Sequence, residues 1–65
     1  MEMLQISLAS ARVNARFTQK EAAAALGVSN RTLCSWEKGQ SFPDAQQIIA
    51  ICSLYGVSYD NIKFF

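Results

Sequence analysis

The clearest hydrophobic pattern in the chain lies between Thr18 and Gly39, where apolar residues recur at the spacing of two short helices. Residues 19–26 are rich in good helix formers and include four consecutive alanines. Gly27 stands where a helix can end in the left-handed conformation, and Gly39 can end the next helix in the same way. The pattern predicts one helix over residues 19–26, a tight turn, and a second helix over about residues 30–38.

Polar residues at the starts of these two helices fit N-terminal caps. Thr18 and Glu21 match the capping-box pattern S/T-x-x-E, in which each side chain bonds a backbone N–H that the helix leaves free. Ser29 can cap the next helix. Ala22 and Ala23 are small enough to lie where two helices cross at a steep angle. The larger residues spaced to fill the space between the helices are Leu26, Val28, Leu33 and Trp36.

This assignment gives the second of the two helices one apolar and one polar face. The apolar face is expected to pack on the rest of the domain, which leaves the polar face free to contact a partner. Such a presented polar helix is typical of a helix-turn-helix that reads DNA. The residues expected to point outward are Asn30, Arg31, Cys34, Ser35 and Lys38.

The same stretch resembles the helix-turn-helix of the phage repressor/Cro family, also called the XRE family. The matching features are TQ at the start of the second helix, alanine four residues before Gly27, GVS at the turn and WEKG at the end of the third helix. Downstream, FPDAQQIIAICSLYGVSYDNI resembles the fourth and fifth helices of that family. The resemblance covers about residues 6–63 and implies an all-α, compact five-helix, lambda-repressor-like DNA-binding domain with its helix-turn-helix at helices 2 and 3.

A first helix is predicted from Leu4 or Ile6 to Ala15, because apolar residues recur there at helical spacing. Phe17 is expected to fill the junction with the second helix. The resemblance further implies that Arg12 on the first helix pairs with Glu37 of the WE motif; the alternative is a solvated arginine on the helix surface. The buried stripe is expected to comprise Leu4, Leu8, Ala11 and Ala15.

A fourth helix is expected after Pro43, which favours an extended backbone before a helix starts. Asp44 can serve as its N-cap, and Gly56 can end it after about Tyr55. Phe42 is expected to cover the core beside this helix. The inward-facing residues are predicted to be Ile48, Ile51, Cys52 and Tyr55.

Ser58 can cap a short fifth helix from Tyr59 to about Lys63, with Val57 and Ile62 completing the core. The sequence shows no alternating pattern that would indicate a strand. Phe64 and Phe65 then end the chain. They either pack back on the domain, form part of a subunit contact, or precede a further domain of a longer protein.

The length of 65 residues allows one domain, residues 1–65. Its net charge of +1 and pI of 7.8 count mildly against DNA binding, since DNA-binding domains usually have a pI above about 9. The distribution is more favourable, because Arg16, Lys20, Arg31 and Lys38 fall in or beside the helix-turn-helix. No signal peptide and no apolar run near about 18 residues is present, which predicts a cytoplasmic protein. The resemblance implies a bacterial cell or phage-infected host and association with the nucleoid.

The sequence offers little for catalysis or metal binding. Cys34 and Cys52 are expected to be reduced thiols, as in most cytosolic proteins. The chain has no histidine, so a zinc site would lack ligands, and no cofactor is expected. There is no glycine-rich phosphate loop and no base to activate a catalytic cysteine, so the chain is not expected to be an enzyme.

The DNA roles follow from side-chain chemistry and from the resemblance. Asparagine can make a two-point contact with adenine and arginine with guanine, while the methyl group of thymine suits Cys34 or Thr32. The resemblance assigns a base contact to Ser35 and a phosphate contact to Gln19. The alternative is a solvated helix that reads nothing. The predicted base-reading residues are Asn30, Arg31, Ser35 and Cys34, and the predicted backbone contacts are Gln19, Thr18, Ser29, Lys38, Gln40, Arg16 and Lys20.

The leading hypothesis is therefore a sequence-specific transcriptional regulator of the Cro or repressor type. The resemblance implies a homodimer, paired through the C-terminal region, on a near-palindromic double-stranded DNA operator. One alternative is a protein-interaction module of the same fold that has lost DNA binding. Another is the DNA-binding fragment of an antitoxin-type regulator. No membrane partner and no small-molecule substrate are expected.

Overall fold

Residues 5–64 are described by the computed structural model, and within them the chain forms four α-helices, a 3₁₀ turn and two short strands. Two of the helices carry the predicted helix-turn-helix, and the other two pack against them. In chain order the elements are β1 (Ile6–Ser7), α1 (Leu8–Asn14), α2 (Gln19–Leu26), α3 (Asn30–Glu37), α4 (Ala45–Tyr55), the 3₁₀ turn (Tyr59–Asn61) and β2 (Ile62–Lys63).

Strands β1 and β2 form a parallel pair that joins the two ends of the described chain. Ile6 pairs with Ile62, and Ser7 pairs with Lys63. Ile62 is buried in the core, so the pair also closes one side of the domain. Sequence analysis did not predict these two short strands, and the described chain is otherwise predominantly helical, as the all-α class requires.

The first helix begins later than expected. It starts at Leu8 because Ser7 is its N-cap, with the Ser7 hydroxyl accepting a hydrogen bond from the backbone N–H of Ser10 at 3.0 Å. Ile6 is therefore part of a strand. Leu4, the other proposed start and a member of the predicted buried stripe, lies outside the described residues.

The predicted fifth helix was wrong as well. Residues Tyr59–Asn61 make a single 3₁₀ turn, and the chain then enters β2. Ser58 does not cap this turn, since its side chain makes no capping hydrogen bond. Pairing with β1 holds the backbone of Ile62 extended, so a helix cannot continue through this residue. The described chain therefore has four α-helices.

The two helices of the predicted helix-turn-helix have the expected bounds and caps. The Thr18 hydroxyl accepts from the Glu21 N–H at 3.1 Å, and the Glu21 carboxylate accepts from the Thr18 N–H at 2.9 Å. The hydrogen bond from the Thr18 N–H favours the charged carboxylate and is the main cause of the lowered pKa of Glu21, with a further contribution from the Thr18 side chain. Gly27 ends α2 at a φ of 72°, and Ser29 caps α3 by accepting from the Thr32 N–H.

Helix α4 is capped more fully than the sequence indicated. Asp44 accepts from the Gln47 N–H, as expected of an N-cap, and the Gln47 side chain accepts in return from the Asp44 N–H, both at 2.8 Å. Gly56 ends the helix in the left-handed conformation. Two neighbouring expectations differ: Phe42 is 60% exposed rather than covering the core, and Pro43 is buried in its place.

One core joins all four helices and β2. The two small residues predicted at the helix crossing, Ala22 and Ala23, are 0% and 3% exposed and belong to this core. Phe17 fills the junction after α1, with its ring centroid 6.2 Å from that of Tyr55. Leu26, Val28, Cys52 and Val57 are half-buried at the edge of the core. The core residues are Leu8, Ala11, Ala22, Ala23, Leu33, Trp36, Ile51, Tyr55 and Ile62.

Tyr55 is the core residue with a titratable side chain, and its pKa predicts a pH dependence. Tyr55 is 6% exposed, and its hydroxyl has no hydrogen-bond partner among the described residues. Burial, and then the charge of Glu37, raise the pKa of Tyr55 from 10.0 to about 12. Between these values the unfolded chain releases the proton first, so stability is full below the lower value and falls as the pH rises through the window.

We expect Tyr55→Phe to leave stability at neutral pH within about 1 kcal/mol of the wild type, because the lost hydroxyl had no partner. The variant should also lose less stability than the wild type between neutral pH and about pH 11. Urea denaturation at both pH values measures this, with Tyr59→Phe as the exposed control. A loss above about 2 kcal/mol at neutral pH would show that the hydroxyl makes a stabilising bond.

Candidate nucleic-acid interface

Helix α3 is held down by one face and exposed on the other. Leu33 is 0% and Trp36 4% exposed, and both belong to the core. On the opposite side Asn30, Arg31 and Lys38 are exposed. The helix therefore presents a polar surface whose position is fixed by packing against α1 and α2.

Seven of the predicted contact residues line a single shallow groove along this surface. Gln19 enters it from the start of α2, and Gln40 enters it from the loop after α3. The groove brings together every predicted base-reading residue and three of the predicted backbone contacts. Its lining residues are Gln19, Asn30, Arg31, Cys34, Ser35, Lys38 and Gln40.

Four predicted backbone contacts lie outside the groove lining, and all four are exposed. The hydroxyls of Thr18 and Ser29 are already used, since each accepts the capping hydrogen bond of its helix. Arg16 lies between α1 and α2 with a left-handed φ of 68°. Lys20 lies on the first turn of α2. Thr18, Lys20 and Ser29 are sequence neighbours of residues that line the groove.

An ion pair between Arg12 of α1 and Glu37 of α3 anchors α3 to the rest of the domain. The Arg12 Nε donates to Glu37 Oε2 at 2.7 Å, with the two side chains only 15% and 8% exposed. Arg12 Nη1 also donates to the carbonyl oxygen of Phe17 at 2.9 Å. Arg12 is thereby committed to the structure and does not reach the groove.

Glu37 also makes a hydrogen bond to Gln19, one of the groove residues. Sequence analysis did not predict this contact. The Gln19 Nε2 donates to Glu37 Oε1 at 3.1 Å, so the end of α3 orients the first side chain of α2. An amide nitrogen carries two hydrogens, and the second remains able to donate to another acceptor. Arg12 Nη2 also donates to Glu37 Oε1, at 3.5 Å, so this oxygen accepts from both α1 and α2, and no sequence pattern marks the contact.

Ser41 is a residue next to the groove that sequence analysis did not predict. Its hydroxyl oxygen lies 2.7 Å from that of Ser35, close enough for a strong hydrogen bond in which either group can donate. Both serines are half-buried. No sequence pattern marks Ser41, because its position depends on the path of the loop after α3.

Comparison with known proteins gives the family. The family model described as Helix-turn-helix matches residues 8–62, from the start of α1 into β2. The chain belongs to the helix-turn-helix family. It is 40% identical over 55 residues to the HTH-type transcriptional regulator ImmR of Bacillus subtilis (strain 168), a match that covers 85% of this chain and 43% of that regulator. The chain thus spans less than half the length of this curated relative. No solved structure matches it significantly.

The match confirms the resemblance drawn from TQ, GVS and WEKG to the XRE family of helix-turn-helix proteins.

In this helix-turn-helix domain Cys34 and Cys52 are free, half-buried thiols, and burial raises the pKa of Cys52. Within residues 5–64 no group of three or more acidic or thiol side chains is placed to hold a metal ion. No helix in the same range is long and apolar enough to span a bilayer.

Proposed function

We propose that this domain is a sequence-specific, non-enzymatic DNA-binding regulator of transcription that inserts α3 into the major groove. The observation that carries the proposal is the groove along α3, which is lined by seven polar or thiol side chains. The opposite face of α3 is buried in the core and fixes the position of the helix. A helix of this kind fits the major groove of B-DNA. The relative that is named a transcriptional regulator supports the same role.

The first turn of α3 supplies the principal base contacts. Asn30 and Arg31 are both exposed there, and their side chains suit adenine and guanine respectively. Cys34 and Ser35 lie one turn further on and are half-buried, so they approach only bases that come close to the helix. Contact with a thymine methyl group suits Cys34.

The backbone contacts come from the rim of the groove. Gln19, Lys38 and Gln40 line its edge, while the cations Arg16 and Lys20 stand outside it. The hydroxyls of Thr18 and Ser29 add contacts only through their remaining hydrogen-bonding capacity. If Arg16, Lys20 and Lys38 each neutralise one phosphate, the logarithm of affinity falls with the logarithm of salt concentration at a slope of about −3 per chain.

A homodimer on a near-palindromic operator suits the small reach of one domain. Two copies would read half-sites about one helical turn, roughly 34 Å, apart. The apolar side chains exposed towards the C-terminal half of the domain support pairing there: Phe42, Ile49 and Tyr59 are 60%, 68% and 57% exposed. Phe64 packs at the edge of the core, and Phe65 lies outside the described residues. Such a regulator would be of the phage repressor or Cro type and would act in the cytoplasm.

The net charge of +1 favours one other function, a protein-interaction module of this fold. Fluorescence anisotropy with labelled duplexes separates the two. We expect a sequence selected from a random duplex pool to bind at least about a thousandfold more tightly than bulk DNA, with affinity falling as salt is raised. Absence of binding to every duplex at low salt would contradict the DNA-binding proposal and favour the interaction module.

Substitution of two groove residues should affect binding in different ways. We expect Arg31→Ala to reduce discrimination at one base position by about 1–3 kcal/mol, because its contact is to a base edge. Gln19→Ala should weaken binding about equally on all sequences, because its contact is to phosphate. Lys63→Ala removes one positive charge, as Arg31→Ala does, at an exposed position of β2 and is the control. Unchanged affinity in both groove variants would contradict this docking geometry.

A further inference from the structure

Ser35, one of the residues that line the groove, has a hydroxyl partner. Its hydroxyl is bonded to that of Ser41, which belongs to the loop after α3 and not to the groove lining. We propose that Ser41 is a positioning residue for base reading, which fixes the Ser35 hydroxyl in the orientation that meets the DNA. This inference rests on the proposed function.

The end of α3 explains why Ser41 reaches Ser35. Gly39 adopts a φ of 73°, which reverses the chain at little cost for glycine. Its N–H donates to the carbonyl of Trp36 at 3.1 Å, and the N–H of Gln40 donates to the carbonyl of Ser35 at 3.0 Å. This is the hydrogen-bond pattern of a Schellman motif. The motif ties the loop to the last turn of α3, so the next residue, Ser41, comes to lie beside the Ser35 side chain.

The chemistry of two hydroxyls gives this contact a consequence for recognition. A free serine side chain rotates among staggered orientations, and within a helix its hydroxyl can turn back to the carbonyl four residues earlier. The bond to Ser41 at 2.7 Å opposes both motions. If Ser41 donates, Ser35 keeps its proton for an acceptor on a base; if Ser35 donates, its lone pairs accept from a base amino group. In either arrangement the Ser35 hydroxyl offers a base one defined role, as a donor or as an acceptor.

The test uses the sequence that the wild-type domain selects from a random duplex pool, together with its single-base variants. Ser41→Ala should reduce discrimination at one base position roughly three- to tenfold, the effect of one net hydrogen bond, and leave affinity for bulk DNA unchanged. Ser35→Ala should reduce discrimination at the same position. In the double variant the effects should not add, because the two serines act as one unit. Ser41→Thr keeps a hydroxyl and should retain the discrimination.

Ser53→Ala is the matched control, since Ser53 is exposed on α4 away from the groove. Equal weakening by Ser41→Ala on all sequences, or additive effects of the two alanine substitutions, would overturn the inference and leave a purely structural contact. Full discrimination in Ser41→Ala would also overturn it, while leaving the proposed function intact. A wild-type domain that selects no sequence would overturn the proposed function and this inference together.

Discussion

Replacing Arg12 by methionine is expected to lower the free energy of unfolding by about 3–5 kcal/mol, because the Glu37 carboxylate is left without its charge partner in a mostly buried site. Glu37 is 8% exposed and would keep only the amide of Gln19 as a donor. The carbonyl of Phe17 would lose its donor as well. Urea denaturation followed by the fluorescence of Trp36, the single tryptophan, measures the change.

The double variant Arg12→Met/Glu37→Met should recover most of this loss, since two apolar side chains leave no buried charge behind. Lys20→Met removes an exposed cation from α2 and should change stability by less than about 0.5 kcal/mol. Recovery of stability in the double variant would show that the unpaired Glu37 charge causes the loss, even if Arg12→Met is largely unfolded. A loss below about 1 kcal/mol in Arg12→Met would show that the pair behaves as a surface ion pair.

Leu33→Ala should cost about 2–5 kcal/mol, because it removes a fully buried side chain from the face of α3 that packs on the core. The same denaturation experiment measures it. Leu26→Ala, at the half-buried end of α2, is the matched control and should cost less than half as much. Similar losses in the two variants would show that α3 is not anchored through Leu33. The anchoring matters for function because a loosened helix presents its polar face less precisely.

The elements that sequence analysis located correctly are those fixed by local chemistry. Thr18 and Glu21 cap α2 by bonding to each other across one turn, and Gly27 ends the helix by its own backbone freedom. Ser29 caps α3 in a similar way. Each of these contacts joins residues within about one turn of helix, so the amino-acid pattern alone defines it.

The elements that sequence analysis missed depend on contacts between distant parts of the chain. Strands β1 and β2 have two residues each, too few to show alternation, and Ile6 is extended only because Ile62 lies beside it. In the connection to α4, Phe42 is exposed and the adjacent Pro43 is buried. Hydrophobicity alone cannot rank two adjacent apolar residues.

The same distinction applies to the candidate site. The outward face of α3 follows from helical periodicity once Leu33 and Trp36 are assigned to the core, and the groove contains every residue assigned to that face. The side-chain contacts of Gln19 and Ser35 could not be predicted in this way. They depend on where α2 starts relative to the end of α3, and on how Gly39 turns the loop.

The central claim, that DNA meets the exposed face of α3, is tested most directly by nuclear magnetic resonance. The ¹⁵N-labelled domain would be titrated with the duplex that it selects from a random pool, and the amide chemical shifts compared residue by residue. We expect the largest changes at Asn30, Arg31 and Gln19, with mismatched duplex producing smaller ones. Changes confined to the surface around Phe42 and Tyr59, with α3 unaffected, would contradict the claim.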